Sequence, residues 1–310
     1  MVEIVKKKPL TSLKNKFVRF FTTSNSKNQV KRYTRSRVVS FFFFLFVFLA
    51  GLFAVVPLIY SICTSFKPLD ELLVFPPRFL VHRPTLQNYK MLPELLSNLE
   101  VPFSRYLFNS FFVTIVGTIL NVLASSMAAF SLSKSKLKYK NILFMIIQFS
   151  LLFNAYTLSL PRYIIYSWAD IIDTFWIYIL PSIPSATSVF LLKQYMEGGI
   201  PESLMEAAEI DGASFFRTYW QIGFPIVKPC MLTVFLFAFR DMWAMAPADL
   251  VFTEELKTLP MIDTQISAAG IARSGSTMAV TVILMIPPIL IYLLTQSNVT
   301  QTMNSAGIKG

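Results

Sequence analysis

Long unbroken apolar runs alternate with shorter polar stretches along this chain. The first run, Val38 to Ile62, holds 25 residues without a charge. Five more follow at about 107–131, 141–161, 172–193, 227–247 and 276–296. A helix rises ~1.5 Å per residue, so roughly 20 apolar residues cross the ~30 Å hydrocarbon core of a bilayer. The pattern predicts an all-α integral membrane protein with six transmembrane helices. The first run follows Lys31, Arg32, Arg35 and Arg37, as a signal peptide's core would follow its basic start. It is too long for such a core, which spans ~7–15 residues, so it reads as a retained span. The fourth run holds Pro181 and Pro184 and the sixth Pro287 and Pro288. Membrane helices tolerate such prolines as kinks, because neighbouring helices satisfy the freed backbone groups. The fourth run also begins at Asp173, which blurs its boundary.

Charge then orients the spans. Six crossings place both termini on one side. Of the 28 Lys and Arg, 19 fall in the 1–37 tail, at Lys134, Lys136, Lys138 and Lys140, in the 193–228 loop and at Lys309. The opposite loops hold 8, and Arg240 lies in a span. The excess of basic residues in cytoplasmic loops puts both termini in the cytoplasm of a cell-membrane protein. The chain divides into a basic N-terminal tail (1–37), a first helix (38–62), an extracytoplasmic loop (63–105), a core of five helices (106–296) and a C-terminal tail (297–310). A second outward loop covers 248–275.

Composition agrees and excludes other classes. Of 310 residues, 54% are apolar and only 15% charged, against about a quarter charged in a soluble domain. The net charge of +11 would suit nucleic acid, but 11 of the basic residues lie in residues 1–37 and most of the others in particular loops, a topological pattern and no phosphate groove. Cys63, Cys230 and His82 supply no metal spacing and no nucleophile–base pair, which argues against an enzyme. The cysteines read as inert small hydrophobes.

The inward loop reads GGIPESLMEAAEIDGASFFRTYWQIGFPIVKP from Gly198. Pro201 suits a first helical turn, where no N–H is needed, and Glu202 suits the positive helix N-terminus. Leu204, Ala207 and Ala208 follow at helical spacing, the two alanines leaving a flat face another protein can approach. Asp211-Gly212 ends the helix, Ser214 caps a second one, and Pro225 and Pro229 mark the turn into the fifth span. This predicts a helix-turn-helix at the cytoplasmic membrane surface. Periodicity alone also fits an interfacial amphipathic helix anchored to membrane lipid.

The loop resembles the EAA motif of ABC importer permeases. Glu206-Ala207-Ala208 is followed by three residues and Gly212, then by nine leading to Ile222, Gly223, Phe224 and Pro225, with Phe224 where Leu is usual. The run IPESLMEAAEIDGAS is similar to that of carbohydrate importers of the maltose-permease type. So are Asn109-Ser110, Met127-Ala128-Ala129-Phe130, Thr258-Leu259-Pro260 and the C-terminal Ala306 to Gly310. The resemblance covers about 38–310 and leaves the first 37 residues out.

The resemblance implies a type I ABC importer transmembrane domain that hydrolyses no ATP. A separate ATPase dimer binds ATP and Mg, and this chain carries no cofactor. The EAA loop, 200–225, docks on one ATPase subunit. Glu206 takes a polar or basic partner there, Ala207 and Ala208 allow close approach, Gly212 holds the turn, and Asp211, Ile222 and Pro225 complete the coupling motif. Other implied partners are a second related permease, an extracytoplasmic solute-binding protein docking over 63–105 and 248–275, and a sugar, an oligosaccharide before a monosaccharide. A peptide or amino-acid importer of the same superfamily, and a secondary transporter working alone, are the alternatives. Gly307, Lys309 and Gly310 are either a second ATPase contact or a disordered end.

Polar residues inside spans are costly and mark pathways. Asn121, Gln148, Asn154, Arg240 and Asp241 qualify, each weighed against a structural role. Arg240 and Asp241, being adjacent, point to different helix faces and need not pair with each other. Trp176 and Trp243 are either sugar-stacking platforms or ordinary membrane-belt residues.

Overall fold

A computed structural model of the chain describes residues 37–97, 101–154 and 157–307. The 1–37 tail, Arg37 excepted, lies outside the described residues, as do Lys309 and Gly310; Gly307 is the last residue of the final helix. Among the described residues every regular element is helical. The labelled helices are α1 (Arg37–Ser65), α2 (Gln87–Ser97), α3 (Phe103–Lys134), α4 (Lys140–Ser150) and α5 (Ser159–Trp168). They continue with α6 (Ala186–Gly199), α7 (Glu202–Ile210), α8 (Phe215–Trp243), α9 (Leu259–Ala268) and α10 (Ser274–Gly307). Two units divide at Val55 and Val56. The described part of the first is the N-terminal portion of α1, exposed from Val38 onward; the second holds every other helix.

Among the described residues four segments are long and apolar enough to cross a membrane: Val38–Ser65, Phe103–Lys134, Phe215–Trp243 and Ile271–Gln296. The third and fourth spans expected from the sequence are not continuous helices. Around 141–161, α4 closes at Ser150 through a turn in which Leu151 and Leu152 donate to the carbonyls of Gln148 and Phe149. Pro161 then sits in the first turn of α5, where its missing N–H costs nothing, so it opens a second helix instead of ending the first. Around 172–193 the chain makes a short helix (Trp176–Ile179), a tighter turn (Leu180–Ser182) and then α6. Asp170 and Asp173 take left-handed φ values of 52° and 56°, a conformation Asp tolerates better than most residues. Pro181 and Pro184 break the helical ladder, and the Ser185 hydroxyl caps α6 by accepting from the Ser188 N–H at 3.2 Å.

The interior is built on α3, which packs against α6, α8 and α9. Phe130, Leu192, Met196, Tyr219 and Val234 form one core between α3, α6 and α8. Leu92, Tyr106, Leu259, Ile262 and Val280 form another between α2, α3, α9 and α10. Much of the large apolar surface elsewhere is exposed, as lipid-facing helices require.

Candidate functional site

The segment 200–225 folds around a helix end. Pro201 stands just before α7, Asp211 just after it, and Gly212 takes φ +70°. Ala213 N–H donates to Ala208 O at 2.9 Å and Gly212 N–H to Glu209 O at 3.1 Å. This pair of bonds closes a helix end through a left-handed residue, which glycine enters without a Cβ penalty. Ser214 then caps the next helix by accepting from Arg217 N–H at 3.3 Å.

α7 has two unlike faces. On the inner face Ala208 is 5% exposed and Met205 packs against the α3–α6–α8 core, while on the exposed flank Glu202 and Glu209 each meet a lysine. Lys134 meets Glu202 at 3.0 Å and Lys136 meets Glu209 at 2.6 Å. On the outer face Ser203, Glu206, Ala207 and Ile210 are exposed, and Glu206 has no hydrogen bond or ion pair among the described residues. The alanine pair therefore does not form one approachable face: Ala207 points out, whereas Ala208 lets α7 lie close to its own chain. The reason is helical geometry, since neighbouring residues are ~100° apart around the axis.

The expected turn at Pro225 and Pro229 is a continuous helix. α8 runs through both prolines, widened to one π-helical turn at Tyr219–Gly223. Pro225 cannot donate to Gln221 O and its ring crowds that carbonyl, so the helix opens just before it. Ile222 is half-buried and Pro225 exposed in this stretch. The widened turn locks onto the end of α3. A Cβ on Gly223 would lie 2.8 Å from Phe130 Cε2, so only glycine permits the contact. Phe130 also packs on Phe215 and Tyr219 at centroid distances of 4.9 and 5.4 Å, and Tyr219 Oη lies 2.6 Å from Ser126 Oγ.

The other end of α3 is fixed just as firmly to the 248–258 loop. Asn109 Nδ2 donates to Glu255 O at 2.8 Å and Lys257 O at 2.9 Å, and Leu259 N–H donates to Ser110 Oγ at 2.7 Å. Tyr106 Oη donates to Glu254 at 3.0 Å. Asp173 accepts from the Phe252 and Thr253 N–H groups, both at 2.8 Å. Thus the motifs Asn109-Ser110 and Thr258-Leu259-Pro260, far apart in sequence, meet at one joint; Met127 to Phe130 and 200–225 meet at the other.

Between these joints lies a cavity of about 1750 Å³, bordered by α3, α5, the broken 177–191 segment and the end of α8. Of the expected pathway residues it gathers Asn121, Arg240 and Asp241. Asn121 is buried and bridges the chain break, donating to Ser182 O at 2.5 Å and accepting from Ser188 Oγ at 3.1 Å. Arg240 and Asp241 do pair, at 2.9 Å, with both side chains about two-thirds exposed. At the C-terminal end of a helix the long arginine has room to fold back on its neighbour. Gln148 and Asn154 are exposed on and after α4, and Trp176 is exposed; none lines the cavity. Trp243 is 4% exposed, stacked with Phe239, packed on Phe111 and bonded through Nε1 to Leu284 O at 2.8 Å, so it offers no free face to a ligand. Arg162, Tyr163 and Tyr166 of α5 do line the cavity and were missed in the sequence. Their signal was a polar turn in 159–168 that does not fit a lipid-facing helix.

The chain is similar to two permeases of known systems. It is 30% identical over 267 residues to the sulfoquinovosyl glycerol transport system permease protein SmoH of Agrobacterium fabrum, covering 84% of this chain and 90% of that one. It is 27% identical over 278 residues to the arabinooligosaccharides transport system permease protein AraQ of Halalkalibacterium halodurans, covering 86% and 94%. In fold it matches a chain of a bacterial ABC transporter involved in the import of the acidic polysaccharide alginate, with TM-score 0.71, 24% identity, and coverage of 84% of this chain and 98% of that one. Residues 121–305, which include the inner α3 joint, the 255–259 segment of the outer one and the cavity wall, match the family described as binding-protein-dependent transport system inner membrane component, and the chain belongs to that family.

Proposed function

We propose that this chain is the permease subunit of an ATP-driven importer for an oligosaccharide, forming half of the translocation pathway. The observation that carries the reading is α7, seated behind by Met205 and Ala208, flanked by the Lys134 and Lys136 ion pairs, and presenting Glu206, Ala207 and Ile210 outward. A helix fixed on one side can pass on a push received on the other. The receiving chain is an ATPase dimer that binds ATP and Mg, and Glu206 meets a basic or polar group on it. Asp211 and Gly212 hold the turn, and Ile222 and Pro225 seat the joint with α3.

Six crossings complete the topology, with 140–168 and 176–199 as the two broken ones and both termini in the cytoplasm. The bonded partners support this assignment. Residues expected inside (126–136 with 202–223) bond to one another, and residues expected outside (105–110, 173 and 250–259) do likewise. The cavity around Asn121, Arg240 and Asp241 is the substrate path, completed by a second, related permease. A solute-binding protein delivers the sugar over the 63–105 and 248–275 loops. The names of the sugar-system relatives support a carbohydrate over a peptide or amino acid.

The test is purification of the complex in mild detergent and identification of the chains that come with it. An ATPase, a second permease and a binding protein that takes up an oligosaccharide are expected. A chain that purifies alone and transports without ATP overturns the reading.

A further inference from the structure

The four long helices differ in one respect. α1 contains Pro57, α8 contains Pro229, α10 contains Pro287 and Pro288, and α3 contains none across its 32 residues. Proline removes a main-chain bond and is the usual cause of a kink. Among the described residues α3 is thus the long helix with an uninterrupted ladder, and the helix that would transmit axial and rotational displacement with least loss. It is also the one bolted at both ends. Asn109 and Ser110 bind the backbone of the 255–259 segment outside, and Ser126 and Phe130 bind Tyr219 and Gly223 inside. The outer bonds go to main-chain groups, so they hold the path of that loop and not just one flexible side chain. At its middle α3 touches the cavity wall through Asn121.

We propose that α3 is a lever linking the ATPase-facing loop to the 248–258 loop on the opposite membrane surface, with Asn109 and Ser110 as its outer positioning residues and Ser126 and Phe130 as its inner ones. This rests on the permease reading above. A displacement of α7 and the start of α8 moves the inner end of α3. The stiff helix carries it past Asn121, shifting the cavity wall, and delivers it to the loop that Asn109 and Ser110 hold. The same link works in reverse: a protein pressing on the outer loop alters the inner joint. Such two-way coupling is a thermodynamic necessity once both ends bias one two-state element.

The test uses the whole purified complex in nanodiscs with ATP and vanadate as the probe, so no sugar is needed. Phe252, 62% exposed on the outer loop, is replaced by cysteine and given an environment-sensitive fluorophore; Cys63 is replaced by serine, and Cys230 is 2% exposed. Trapping the ATPase with ATP and vanadate should change the label's emission. Asn109→Ala combined with Ser110→Ala, which removes three of the outer joint's bonds, should abolish that change while ATP hydrolysis persists, and Ser110→Ala alone should weaken it. Tyr219→Phe, which removes one hydroxyl from the inner joint, should reduce it too. That variant is the discriminating one. Ser110 and Ser126 are 16 residues apart, ~24 Å along the helix, so Tyr219 touches no part of the outer loop and a purely local role would leave the label unmoved. Ser110→Thr, which keeps the hydroxyl, should retain the response. Hydrolysis with a label that never responds, or a response that Tyr219→Phe leaves undiminished, overturns the lever alone. A complex without ATP hydrolysis overturns the permease reading and the lever with it.

Discussion

Gly223→Ala is the most demanding test of the inner joint. The added methyl would sit 2.8 Å from Phe130 Cε2 and 3.0 Å from Cδ2, well inside ordinary carbon–carbon contact. Relief would have to come from Phe130, and Phe130 has nowhere to go. It is 1% exposed and confined by Phe215 and Tyr219. Overpacking of this kind costs about 1–3 kcal/mol. At ~1.4 kcal/mol per tenfold, the seated joint loses roughly 5- to 150-fold in population relative to an unseated one. The expected outcome is a complex that assembles with its ATPase but melts at lower temperature and couples hydrolysis to uptake poorly. Gly223→Ala combined with Phe130→Leu, which trades the ring for a smaller side chain, should recover much of both. The assays are thermal melting of the purified complex and ATP-driven uptake into vesicles. Wild-type melting and uptake for Gly223→Ala refute the reasoning. So does a double variant no better than the single one when Phe130→Leu alone is well tolerated.

Three further outcomes follow from other parts of the molecule. Gly212 has open space around it but φ +70°, so the cost of replacing it is backbone strain of about 1–2 kcal/mol, least for Asn; Gly212→Val should lower the melting temperature of the complex clearly more than Gly212→Asn. Glu206→Lys reverses a charge that has no partner within the described chain, so it should leave membrane insertion unchanged and reduce recovery of the ATPase in a pull-down; equal recovery would count against Glu206 as the docking group. The Glu71 carboxylate accepts from the N–H groups of His82 and Arg83 at 3.1 and 2.9 Å, and these bonds, the His82 one foremost, hold its pKa below the usual 4.5. A depressed pKa stabilises the 66–85 loop fully above pH 4.5, with loss as pH falls through the lower, folded-state value. Amide protection in that loop should therefore fall at low pH in the native chain, whereas in Glu71→Gln it should be low at all pH.

Much of this molecule was legible without coordinates. The apolar runs located α1, α3, α8 and α10, because a membrane helix of ~20 apolar residues writes its length directly into composition. Gly212 marked a helix end, because left-handed backbone selects glycine whatever surrounds it. The pairing of short motifs was not legible. Asn109-Ser110 and Thr258-Leu259-Pro260 are 148 residues apart across the Asn109–Lys257 bond, and no local rule joins them. The breaks at 150–159 and 179–186 were misjudged because apolar composition reports burial in lipid and says little about whether the helical ladder is continuous.

The sequence by itself determined that this is a helical membrane protein with a helix end at Gly212, since hydropathy and helix-end chemistry are local properties. The tertiary structure alone decided which face of α7 is free. It turned Ala208 inward, tied Glu202 and Glu209 to Lys134 and Lys136, and left Glu206 outside. It also withdrew Trp243 into the core and brought Arg162 to the cavity. These outcomes depend on which helices become neighbours, and helix neighbours in a membrane are chosen by close packing and buried polar bonds, which sequence spacing does not encode.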